Sequence, residues 1–367
     1  MKRHVIGVAA AVLGTMLMGG VVATQTAAAA APVPTTVTLP LFGAPLTIGI
    51  TTGPGGALSA VTVDPATGVT ATEASPHKVV FQSANPTNPT ADPARVVIKS
   101  KHGGQSVSAR AGTLAQVSGP GSWSGDVFGT GAASSVKFAI AGTDLSPDIT
   151  GTTATPAAGV TAVVGTVEHS TGEGDDSEGN EMSVRVSVTF TNATGDQSRT
   201  LSIKVKVGTD EDGNTSAKVS VSLGRINGVE GKAVGSHTWT GLLCNNTPAS
   251  IAYTVAADGT ITLGTITPAG ATSSIDEGKT TVTFATGEQV RIKVSDHDGA
   301  MTVSVKEKIR CNSADPTFNG SSVPTTAGDN NDNNDNHQGG GGDNHGHGDH
   351  AGENDDATTS TSTPAKP

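Results

Sequence analysis

The chain has 367 residues, with 22 Lys and Arg against 33 Asp and Glu, for a formal net charge of -11. That acid excess, with no basic stripe along the chain, argues against a nucleic-acid partner. Only 3% of residues are aromatic, and no long helical periodicity follows the N-terminus, which leaves a β-rich protein filled by Val, Ile, Leu and Ala.

Lys2 and Arg3 make a basic start, residues 5–22 are largely apolar, and residues 27–31 are all alanine. This order reads as a secretory signal over 1–31, with no transmembrane segment left after its removal. Cleavage takes Lys2 and Arg3 and leaves 20 basic residues against 33 acidic ones. The expected location is extracellular, free or held non-covalently at the cell surface.

The rest of the chain to residue 326 repeats one β-pattern three times, over 32–118, 119–229 and 230–326. The third copy shows it best. Val290, Ile292 and Val294 alternate with Arg291 and Lys293, and Met301, Val303 and Val305 alternate with Thr302 and Ser304. Period-2 alternation buries one face and wets the other, as in an antiparallel sheet. Turn residues such as Asp298-Gly299 separate the runs. The landmarks Phe81, Phe190 and Phe284 lie 109 and 94 residues apart, and Trp123 and Trp239 open the second and third copies. The first copy lacks the Trp. Units of about 100 residues with frequent turns suit small β-sandwiches. The expected fold is all-β: three tandem immunoglobulin-like sandwiches followed by a disordered tail.

Each unit carries one feature beyond the repeat. In the first, residues 85–93 hold three prolines and cannot continue a central strand. In the second, residues 168–181 form an acidic insertion, where Asp175, Asp176 and Glu178 are candidate Ca²⁺ ligands, since Ca²⁺ takes six to eight oxygens. The third holds both cysteines, Cys244 and Cys311. In an exported chain these form a disulfide, worth about 4 kcal/mol on the chain-entropy model.

Residues 327–367 contain no large apolar side chain and cannot bury enough surface to order themselves. His345, His347, Asp349 and His350 suit weak Zn, Ni or Cu binding. No required cofactor, phosphate loop, dinucleotide fingerprint or catalytic spacing stands out. The expected function is a non-catalytic extracellular or cell-surface structural or binding module, with a cell-wall or other extracellular ligand. The alternatives are a metal-binding protein acting through its tail and a secreted hydrolase with a cleft between units.

Overall fold

The computed structural model describes residues 33–88, 90–101, 103–172, 181–209, 214–276, 279–297, 300–309, 311 and 314–322. The expected signal over 1–31, the candidate ligands Asp175, Asp176 and Glu178, and the tail residues His345, His347, Asp349 and His350 lie outside them. The described chain is all-β, and none of its helices is long and apolar enough to cross a membrane.

Repeat one runs through β1 (Thr35–Leu41), β2 (Ala44–Thr52), β3 (Leu58–Asp64), β4 (Val69–Ser75), β5 (Lys78–Ser83), β6 (Ala94–Lys101) and β7 (Gly104–Ala111). Repeat two comprises β8 (Gly119–Gly125), β9 (Ser134–Thr143), β10 (Ser146–Thr155), β11 (Thr161–Val164), β12 (Glu168–Gly172), β13 (Glu181–Thr191), β14 (Gln197–Thr209) and β15 (Thr215–Leu223). The linker strand β16 (Asn227–Gly228) leads to repeat three: β17 (Gly235–Leu242), β18 (Pro248–Val255), β19 (Ile261–Thr267), β20 (Thr272–Asp276), β21 (Lys279–Thr283), β22 (Gln289–His297) and β23 (Ala300–Lys308). Two short strands close the described chain, β24 (Thr317–Phe318) and β25 (Ser321–Ser322).

Each repeat folds as two successive meanders. Its first three strands enter one sheet and the remaining strands enter the facing sheet. This is not the immunoglobulin arrangement, whose Greek-key connections pass strands back and forth between sheets. Turns of a few residues between neighbouring runs keep consecutive strands adjacent, so the chain changes sheet once per repeat, between β3 and β4, β10 and β11, or β19 and β20.

Repeats one and two do not form separate sandwiches. Their first meanders join in the 7-stranded sheet I, and their second meanders join in the 11-stranded sheet II. The joins pair equivalent strands. In sheet I, β1 meets β8 antiparallel, with Val37 opposite Trp123; in sheet II, β7 meets β15, with Ser106 opposite Ser222. The two repeats are therefore mated about a pseudo-twofold axis, and one core runs between the sheets from Val37 to Leu223. The physical reason is edge satisfaction. A lone repeat would leave β1 and β7 with unpaired backbone groups, and the next repeat supplies the missing partners. Repeat three keeps its own core between the 3-stranded sheet III and the 4-stranded sheet IV.

The segment after Cys311 returns to repeat one as a strap. β24 adds parallel to β3 and β25 adds parallel to β4, covering the outer edge of both sheets. The Asn319 side chain replaces a ladder residue: its Oδ1 accepts from Val63 N at 2.7 Å and its Nδ2 donates to Val63 O at 3.0 Å. Phe318 packs on Phe81 with ring centroids 5.6 Å apart. In the other repeats the equivalent Phe is covered from within, Phe190 by Trp123 at 5.9 Å and Phe284 by Trp239 at 6.1 Å. Repeat one has Val37 at the Trp position, and the strap supplies the aromatic neighbour it lacks.

Replacing Phe318 with Ala removes that neighbour and part of the strap's buried area. The expected loss is about 1–3 kcal/mol of unfolding free energy, read by urea denaturation. An unchanged midpoint would mean that the strap does not hold repeat one.

Candidate functional site

Alternation along the strands of sheet II sends Val184, Val186, Leu201, Ile203, Val205, Val219, Val221, Val107, Val96 and Ile98 into the core. The intervening residues form the outer face, and many of them are cationic. The ladder registers place Lys206 beside Lys218, Lys218 beside Arg110, and Arg110 beside Arg95, one from each of β14, β15, β7 and β6. The adjacent row holds Arg185 and Lys204, followed by Ser220 and Ser108. The next runs Ser202, Ser222, Ser106, Lys99 and Lys78. Sheet IV repeats the arrangement, with Lys279 beside Lys293 and Arg291 beside Lys306, while Lys308 lies opposite Gln289. These two faces carry thirteen of the 22 Lys and Arg residues of an acidic chain.

The described carboxylates lie largely elsewhere. Asp92, Asp126, Asp144, Asp196 and Asp258 stand in turns and connections. On the outer face of sheet II, Glu181 pairs with Lys206 at 2.5 Å and Glu73 pairs with Lys78 at 2.8 Å, both towards the rim. Arg185 Nε donates to Ser202 Oγ at 2.9 Å, and an Arg110 guanidinium nitrogen donates to Ser216 Oγ at 3.1 Å. Directly opposed like charges cost roughly 0.2–1 kcal/mol per pair. Three such pairs in succession, Lys206–Lys218, Lys218–Arg110 and Arg110–Arg95, are not what sheet stability alone selects.

The boundary between repeat three and the other repeats is built differently. Arg199, on the inner side of β14 and 8% exposed, donates to three carbonyls: Gly224 O and Val127 O at 2.7 Å each, and Gly103 O. Burial pulls its pKa down to about 10, against the opposing pull of Asp126 and Glu307. Glu307 also accepts from Trp239 Nε1 at 2.9 Å, and burial raises its carboxyl above the usual range. Near this cluster, His237 of β17 spans the boundary. Its Nδ1 lies 2.7 Å from Asp196 Oδ2 in the β13–β14 turn, and its Nε2 lies 2.7 Å from Ala233 O. Both ring nitrogens thus face oxygen atoms. Burial alone would raise the Asp196 carboxyl, but hydrogen bonds from Thr194, Asn192 and His237, with the charge of His237, hold it below its ordinary value.

The linker closes the same boundary. Gly231 N donates to Met301 O at 3.0 Å, and a Cβ on Gly228 would stand 2.2 Å from Val303 O. Only glycine allows that approach.

Among the residues singled out in the sequence, Cys244 and Cys311 form the expected disulfide, with Cα atoms 5.2 Å apart. Cys244 N also donates to buried Glu288 at 2.9 Å. Trp123 and Trp239 are core residues, 2% and 7% exposed. The acidic insertion begins as strand β12, paired with β13 from Arg185 to Glu181. Among the described residues, no group of three or more His, Cys, Asp or Glu could hold a metal ion. A solvent-open groove of about 240 Å³ lies at Thr286, Gly287, Glu288, Gln289 and Lys308, below the size of pockets that enclose small ligands.

The basic faces escaped the sequence reading because net charge was taken over the whole chain. Summing charge over the wet positions of each strand, as in Arg291-Ile292-Lys293 or Lys204-Val205-Lys206, was the signal that could have found them.

Two outcomes follow from these contacts. Lys218→Ser should raise the unfolding free energy by about 0.5–1 kcal/mol in low salt, with the gain fading in 1 M salt, where the screening length is about 3 Å. A loss of stability would mean that Lys218 has a favourable partner. The depressed Asp196 carboxyl contributes stability above its unfolded value of about 3.9, and that contribution is lost as pH falls through its lower folded value. The urea midpoint of Asp196→Asn should therefore lie below that of the parent at pH 6 and fall less between pH 5 and pH 3; equal falls would remove Asp196 from the boundary.

Comparison of the chain with known protein families, with characterised proteins and with solved structures found no match.

Proposed function

We propose that this protein is an exported, non-catalytic binding module that works outside the cell or on its surface. The observation that carries the reading is the segregation of charge: an acidic chain gathers eight cations on the outer face of sheet II. Those cations project from paired strands, a rigid support for recognition. They are surrounded by serine hydroxyls. The leader-like N-terminus and the single disulfide support an extracellular setting.

On this reading recognition lies in the β-repeats, and the His- and Asp-rich C-terminal segment is dispensable for it. Co-sedimentation with cell envelopes of the producing organism tests this. The full-length chain and a chain ending at residue 326 should pellet equally, and both should be released by added salt. Pelleting of the full-length chain alone would move recognition to the C-terminal segment; no pelleting of either would remove the surface role.

A further inference from the structure

We infer that the outer face of sheet II is a docking surface for a linear anionic glycan-type polymer, one that carries phosphate, sulfate or carboxylate groups on a hydroxylated backbone. The inference rests on the binding-module reading and names its partner.

The first argument is spacing. Neighbouring strands are about 4.8 Å apart, and alternate residues along a strand are about 6.8 Å apart. Lys206, Lys218, Arg110 and Arg95 occupy four consecutive strands in one row, so the cations advance by one strand spacing at each step across the sheet. A polymer with regularly repeated anions meets such a row in extended form. The row crosses the seam between repeats: Arg95 and Arg110 come from repeat one, Lys218 and Lys206 from repeat two. A single repeat has only half of it, and mating creates the site.

Charge complementarity is the second argument. Adjacent cations without intervening acids repel one another in the free protein, and an incoming polyanion relieves that repulsion. The described acidic residues on the face, Glu181, Glu73 and Glu168, stand beside Lys206, Lys78 and Arg185, and none lies between Lys218, Arg110 and Arg95. Beside the cation row, Ser108 and Ser220 sit at ladder positions next to one another, with Ser106, Ser222 and Ser202 in the row beyond. These hydroxyls donate to and accept from sugar hydroxyls or anionic oxygens.

Side-chain types then separate the candidate polyanions. Single-stranded nucleic acid is held by stacking on aromatic side chains, and the described positions of this face have none. Major-groove readout of duplex DNA uses a helix or a two-stranded ribbon, whereas this face spans many strands. A bilayer surface calls for apolar or aromatic anchors. On this face the strongly exposed large apolar residue is Val163, at the rim on β11 and away from the cation row. An anionic glycan asks for charge and hydroxyls, and the face offers both.

The test uses the full-length chain and heparin, a sulfated glycan, as the probe, with binding titrated at several salt concentrations. The variant Arg95→Ser/Arg110→Ser/Lys206→Ser/Lys218→Ser is compared with an equally charged control on sheet IV, Lys279→Ser/Arg291→Ser/Lys293→Ser/Lys306→Ser. Each is first checked for a parent-like urea transition, and the single variants Lys218→Ser and Arg110→Ser replace any quadruple variant that fails. The expected result is parent binding that weakens with salt, at least tenfold weaker binding by the sheet II variant, and less than threefold weakening by the sheet IV control. Single variants should weaken binding at least twofold. Equal loss in both quadruple variants would reduce the effect to net charge and overturn the assignment. So would tighter row-dependent binding to duplex DNA or to phosphatidylglycerol vesicles than to heparin. If the parent pellets with envelopes while heparin binding ignores the row, the polymer assignment fails and the surface role stands. If heparin binding depends on the row but nothing pellets, the face is established and the surface role fails.

Discussion

Unpaired strand edges govern this molecule. A repeat folded as two successive meanders leaves the first strand of one sheet and the last strand of the other without partners, and backbone groups left unpaired away from water are costly. Repeats one and two solve this for each other through β1 with β8 and β7 with β15. Among the described residues, repeat three mates with no other repeat. Its edge β23 receives the linker instead, with Gly231 bonded to Met301 and Gly228 pressed against the Val303 backbone. The opposite edges of repeat one, β3 and β4, receive the strap.

Mating has consequences beyond edge pairing. It merges two modest cores into one that runs from Val37 to Leu223. It also brings together polar faces that are separate in sequence, so that Arg95 and Arg110 continue into Lys218 and Lys206. At the end of this double unit, Arg199 binds three carbonyls from different connections, and the Asp196–His237 pair and Glu307 tie repeat three to the same place. The strap begins just beyond the Cys244–Cys311 disulfide, so the third repeat also fixes the start of the segment that completes the first.

Charge in this protein is sorted by backbone position. Turn chemistry favours Asp and Asn, which bond to their own neighbouring backbone, as Asp126 does with Phe128 N at 3.2 Å and Asp258 with Thr260 N at 2.9 Å. Strand positions facing solvent are taken by Ser, Thr, Lys and Arg, whose stems extend over the sheet. The two sets add to a negative total while leaving the sheet faces positive. A whole-chain charge therefore describes the turns and the C-terminal segment better than it describes the surface that a partner would meet.

Alternation at Val290, Ile292 and Val294 and the turn residues determined that the chain is all-β, because period-2 patterning is a local property of each strand. The disulfide was legible as well, since two cysteines offer one pairing. Which strand lies beside which across repeats was decided only by the tertiary structure. Nothing local to Val37 or Trp123 states that they face each other, and Thr36-Val37-Thr38 does not announce that it stands where Ser122-Trp123-Ser124 stands. The partner that Phe318 gives Phe81 is likewise hidden by a separation of more than two hundred residues. The cation row follows the same rule: each of its residues is an ordinary wet position on its own strand, and only edge pairing, a long-range event driven by backbone hydrogen bonding and core burial, aligns the four.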